Sequence, residues 1–206
     1  MKQLLLSLGL LTAAFLHPAL AADKAPDSKT PVKPAVAAVS PQVQVVTSMG
    51  NFTIELNAER APLTVANFLA YVDKGQYTNT LIHRAVANFV IQGGGFNADY
   101  SPKPAPVTVV NESGNGLSNV RGTVGLARST EPHGGNAQFY VNMNDNAALD
   151  PNQTRWGYAV FGRVISGMDV VDRIGNVATG AHGTLLKEES PLKPVIIQKI
   201  ERLSNP

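Results

Sequence analysis

The sequence predicts a mainly β fold, a closed antiparallel barrel of short strands plugged by two helices. Three observations lead there. Short apolar stretches recur along the chain between glycine-rich turns, only two segments carry apolar residues at helical spacing, and no longer repeat is present. With 206 residues, 44% of them hydrophobic and 16% charged, the chain suits a single domain with a sizeable core.

Taken in order, residues 43–47 and 52–56 read as paired strands. The second alternates strictly, with Phe52, Ile54 and Leu56 on one face, and Ser48, Met49, Gly50 and Asn51 form a tight hairpin turn. Pro62 suits a first helical position, where its missing N–H costs nothing. Val65, Phe68, Leu69 and Val72 follow at helical spacing, and Lys74 with Gly75 closes the helix. Strands are expected at 81–86, 89–92, 107–110, 123–127, 139–142 and 158–165. A second helix should span 168–174, between Gly167 and Gly175, with a final strand within 194–203. A small barrel fills its interior with side chains, so a binding site belongs on its outer face or rim.

The N-terminus has a different character. Lys2, an apolar run over residues 4–16 and the small-residue signal Ala19-Leu20-Ala21 predict a secretory signal peptide at 1–21. The run is short for a membrane span, and no cysteine follows it to take a lipid. Residues 22–41 hold Pro26, Pro31, Pro34 and Pro41 and no aromatic side chain, so they read as a disordered linker ahead of a domain at 42–206. Export to a bacterial periplasm is the expected localisation. The lack of cysteine suits an oxidising compartment and excludes disulfide and thiolate chemistry. A net charge of only +2 argues against a nucleic-acid partner.

Chemistry concentrates between Ile82 and Phe96. Arg84 sits among strand-forming apolar residues, Phe89 follows five positions on, Gln92 three further, and then Gly93, Gly94 and Gly95. Burying part of a guanidinium is costly unless its five donors serve a purpose. One cationic donor beside apolar surface and an amide outlines a site. The glycines read as a bulge or left-handed turn; no lysine-serine pair follows them to make a phosphate cradle. His83 should face away from Arg84, as neighbours on a strand do, and reads as a hydrogen-bonded structural histidine. His83, His133 and His182 lack metal-ligand spacing, and Asp145 with Asp150 gives no paired-carboxylate geometry, so no cofactor or metal is expected.

Four stretches then resemble the cyclophilins, the secreted bacterial branch of peptidyl-prolyl cis–trans isomerases in particular. They are the segment from His83 and Arg84 to Phe96, Gly125-Leu126-Ala127-Arg128, Gln138-Phe139-Tyr140-Val141, and Trp156-Gly157-Tyr158-Ala159-Val160-Phe161-Gly162. Their order along the chain is what makes the resemblance specific. It implies a closed eight-stranded antiparallel barrel capped by two α-helices. It further implies that Arg84 is catalytic, with Gln92 supporting it and contacting substrate, and that Phe89 and Val90 are pocket residues. Ala127 and Arg128 fall where the family makes backbone contacts to peptide. Gln138 and Phe139 match a polar contact and the floor of the proline pocket, Trp156 falls near a peptide- and cyclosporin-contacting aromatic, and Tyr158 replaces the histidine of eukaryotic members. The implied partners are proline-containing, partly unfolded exported polypeptides, with cyclosporin as a further ligand, and a monomer is expected.

Overall fold

The computed structural model describes residues 40–182 and 186–204. The expected signal peptide and all of the expected linker before Ser40 lie outside the described residues. Among the described residues there are ten strands and two α-helices. They are β1 (Gln42–Thr47), β2 (Gly50–Leu56), α1 (Pro62–Asp73), β3 (Thr80–Val86), β4 (Val90–Asn97), β5 (Thr123–Leu126), β6 (Phe139–Asn142), β7 (Val160–Ser166), α2 (Met168–Gly175), β8 (Thr179–His182), β9 (Leu186–Pro191) and β10 (Ile196–Arg202). A 3₁₀ turn, Ala147–Leu149, precedes β7.

Eight strands close into an antiparallel barrel in the order β1-β10-β3-β4-β6-β5-β7-β2, as expected. Alternation decides what fills it. Phe52, Ile54 and Leu56 of β2 point inward, all buried, and pack with Val43 and Val45 of β1. Helix α1 plugs the barrel with Val65, Phe68, Leu69 and Val72. Phe68 meets Phe161 at 5.1 Å, Tyr77 at 5.3 Å and Phe139 at 5.7 Å between ring centroids. Pro62 does open α1. The first free N–H groups of the helix are met from far along the chain, because the Glu112 carboxylate accepts from Leu63 N–H at 3.1 Å and from Thr64 N–H at 2.8 Å.

The structure differs from the sequence reading in two segments. Residues 107–110 are not a strand; only Val109 bridges, to Gly135, while Val107 and Val110 are more than half exposed. Pro104 and Pro106 interrupt the supply of ladder donors just before it, and the Tyr71 hydroxyl takes over, donating to the Val107 carbonyl and accepting from its N–H. The β8–β9 hairpin was not anticipated. Its strands, Thr-Gly-Ala-His and Leu-Lys-Glu-Glu-Ser-Pro, lack apolar alternation and carry charge, so nothing local marks them as strands. This hairpin lies outside the barrel, with β9 packed against β3.

Candidate active site

The site forms on the outer face where β3, β4, β5 and β6 run side by side. Strand β4 divides its side chains by parity: Ile91 enters the core, while Val90 joins a second, outer cluster with Ala127 and Tyr140. Phe89, Leu149 and Tyr158 pack on that cluster. Asn88 makes the β3–β4 turn in the left-handed region at φ 58°, which sets Phe89 at the mouth of the site. Tyr140 comes close to β5 because Gly125 has no side chain; a Cβ there would lie 2.2 Å from the phenol ring carbon that bears the hydroxyl. The Tyr140 hydroxyl donates to Asn119, whose N–H and amide both donate to Asp150 at 2.8 Å. Burial of that phenol raises its pKa well above the usual value, so Tyr140 stays a neutral donor.

Arg84 is partly exposed at the edge of this apolar patch. Its Cζ stands 5.6 Å from the centre of the Phe89 ring, and its Nε donates to Glu189 Oε2 at 2.6 Å. Gln92 lies opposite Arg84 in the β3–β4 ladder. Its amide nonetheless donates to Gln138 Oε1 at 3.1 Å, so the group that holds the arginine is Glu189 on β9 and not Gln92. Arg128 closes the other side: its guanidinium lies 4.6 Å from the Tyr158 ring centre and donates to the carbonyls of Trp156 and Gly157. Ala127 donates its N–H to the Gln138 carbonyl at 2.9 Å, which ties the end of β5 to the start of β6.

An apolar cluster flanked by Arg84, Arg128 and two side-chain amides suits the grip of a ligand that is part apolar and part polar, as a peptide is. The comparisons agree. The family model for cyclophilin type peptidyl-prolyl cis-trans isomerases matches residues 42–202. Peptidyl-prolyl cis-trans isomerase A of Dickeya dadantii is 44% identical over 172 residues, covering 83% of this chain and 90% of that one. Peptidyl-prolyl cis-trans isomerase B of Escherichia coli is 43% identical, covering 75% and 94%. A crystal structure of a Cryptosporidium parvum cyclophilin type isomerase superposes with a TM-score of 0.69 at 25% identity, covering 81% of this chain and 99% of that one. The chain belongs to the cyclophilin family. It is a peptidyl-prolyl cis–trans isomerase.

Within this cyclophilin, Arg84, Phe89, Val90, Gln92, Ala127, Arg128, Gln138 and Tyr158 come together on one face, and two expected site residues do not join them. Phe139 is 1% exposed and packs inside the barrel, edge-on to Phe68 and Tyr77, so it cannot floor an outer pocket. Tyr140, one residue on, takes that place. Parity held the clue: if Gln138 faces the site, position 140 shares its face and position 139 cannot. Trp156 is half exposed with its indole edge-on to His133 at 5.3 Å. Leu149, from the 3₁₀ turn, packs on the outer cluster of Val90, Ala127 and Tyr140 instead, and no sequence signal singled it out.

His83 also departs from simple alternation. Ile82 and Ala85 both belong to the inner core, three positions apart, and the β3–β4 register slips between Ile82 and Arg84. The extra residue, His83, is a β-bulge, and Gly94, in the neighbouring slip between the Thr80 and Ile82 pairings, adopts φ 87°, the left-handed glycine that the triplet suggested. His83 ends up buried with its ring 4.8 Å from Phe96.

Proposed function

We propose that this isomerase speeds X–Pro rotation in exported, partly unfolded polypeptides, with Arg84 as the electrostatic catalyst. Amide resonance sets a barrier of about 18–20 kcal/mol to that rotation. At the twisted midpoint the proline nitrogen becomes pyramidal and gains a lone pair able to accept a hydrogen bond. A guanidinium donor placed there favours the midpoint over both planar forms and is not consumed. Phe89, Val90, Tyr140, Leu149 and Tyr158 would hold the pyrrolidine ring by apolar burial, while Gln92 and Gln138 present amide groups to the peptide backbone.

The observation that carries this reading is the setting of Arg84 beside the Phe89 ring, its Nε engaged and its two terminal NH₂ groups without partners among the described residues. The Arg84→Ala variant should lose about 10²–10³-fold in kcat/KM, the usual effect of removing a transition-state donor. A protease-coupled assay on a proline tetrapeptide measures it. Turnover near that of the unaltered enzyme would refute the role given to Arg84. Export rests on the signal-like pattern of residues 1–21.

A further inference from the structure

We infer that Glu189 is the positioning residue of this isomerase, orienting Arg84 from the β8–β9 hairpin; the inference rests on the catalytic role proposed above for Arg84. An arginine side chain has four rotatable bonds before its planar head, so a lone guanidinium samples many orientations. Two contacts restrict it here. One is the approach of Cζ to the Phe89 ring, and the other is the charge-assisted bond from Nε to Glu189 Oε2 at 2.6 Å. Engaging Nε uses the donor nearest the stem. The two outer NH₂ groups then point in directions fixed by the guanidinium plane.

Glu189 can do this because its strand is itself anchored. Ser190, the next residue, is 2% exposed and lies opposite Gly180 in the hairpin register. Leu192 N–H donates to the Ala178 carbonyl at 2.9 Å and closes the base of the hairpin. His182 on β8 stacks on Tyr100 with ring centres 4.3 Å apart, which ties the hairpin to the loop after β4. The carboxylate is therefore delivered by a built element, 105 positions away from the arginine in sequence.

Two other roles for the pair make different demands. A stabilising surface ion pair would matter little, since both side chains are a third to a half exposed. An inhibitory latch would compete with substrate for the guanidinium, but Nε is the donor engaged and the terminal groups are spared.

The test compares the unaltered enzyme with Arg84→Ala, Glu189→Ala, Glu189→Gln and the Arg84→Ala/Glu189→Ala double variant, on one proline tetrapeptide over a range of concentrations. Glu189→Ala should lower kcat about 10-fold with KM changed less than about 2-fold, the pattern of a misaimed transition-state donor. Glu189→Gln, which keeps an oxygen acceptor and the same shape, should recover most of the rate. Adding Glu189→Ala to Arg84→Ala should cost nothing further, because the two act as one unit. Urea midpoints for every variant should match. A Glu189→Ala rate equal to or above that of the unaltered enzyme overturns the inference, as does an equal loss in the Arg84→Ala background. Arg84→Ala at full rate would instead remove the reading of Arg84, and this inference with it.

Discussion

His83 shows how one residue's burial becomes a property of the protein. It is 7% exposed, packs on Phe96, and its Nδ1 has no partner among the described residues. Burial, helped by the positive charge of Arg84, pushes its pKa down to about 4 from the usual 6.5. The unfolded chain takes up this proton near pH 6.5 and the folded chain only near pH 4, so the unfolded state binds more protons between those values. The stabilising contribution is complete above the upper value and is lost as pH falls towards the lower one, by at most about 1.4 kcal/mol per unit. Asp73 and Asp169, paired with Arg202 and Arg173, titrate below the usual carboxylate range and leave this window clear. Urea unfolding of the His83→Gln variant should show a flatter pH dependence across the window; an unchanged slope would mean that another group is responsible. The same scale explains the exchange of Phe139 for Tyr140. Two adjacent aromatics are equally apolar in sequence, and only the register of β6 against β4 and β5 sends one inward.

Among the elements, α1 was legible almost to the residue, because Pro62, the apolar spacing and the Lys74-Gly75 stop all act locally. Its cap was not legible, since Glu112 lies 48 positions beyond Thr64. That carboxylate accepts from two helix N–H groups and from the Thr64 hydroxyl at 2.7 Å, and so fastens the loop before β5 to the helix start. Glu112→Ala should lower stability by about 0.5–2 kcal/mol, the usual effect of losing an N-terminal cap, with little change in isomerase activity. Chemical denaturation checks it, and an unmoved midpoint would show that water replaces the carboxylate without loss. The β8–β9 hairpin lies at the other extreme. Its sequence favours no strand, and it exists through pairing and packing against β3.

Across the whole molecule, closure joins the two ends of the domain. Strand β10 lies between β1 and β3, Leu203 N–H donates to the Gln42 carbonyl, and Leu56 N–H reaches back to the Pro41 carbonyl at 2.8 Å. The barrel's hydrogen bonding thus begins at Pro41, the last residue of the expected linker. Removal of the first 21 residues during export would leave every barrel strand intact. Mass spectrometry of the periplasmic fraction from cells making the full chain should find a mature N-terminus near Ala22. Full-length protein confined to the cytoplasm would refute export. Among the described residues, no helix is long and apolar enough to cross a membrane.

The amino-acid sequence by itself determined the barrel class, both helices, the segments that form most of the strands, and the cluster of Arg84, Phe89 and Gln92, because periodicity, turn glycines and short spacings are local properties; Val90 came with the family resemblance. Tertiary structure alone decided which aromatic of β6 faces the site, that Leu149 rather than Trp156 packs on the outer cluster, and that Arg84 is held by Glu189. Each of these depends on strand register or on contacts between distant segments, and no local preference encodes a partner 105 residues away.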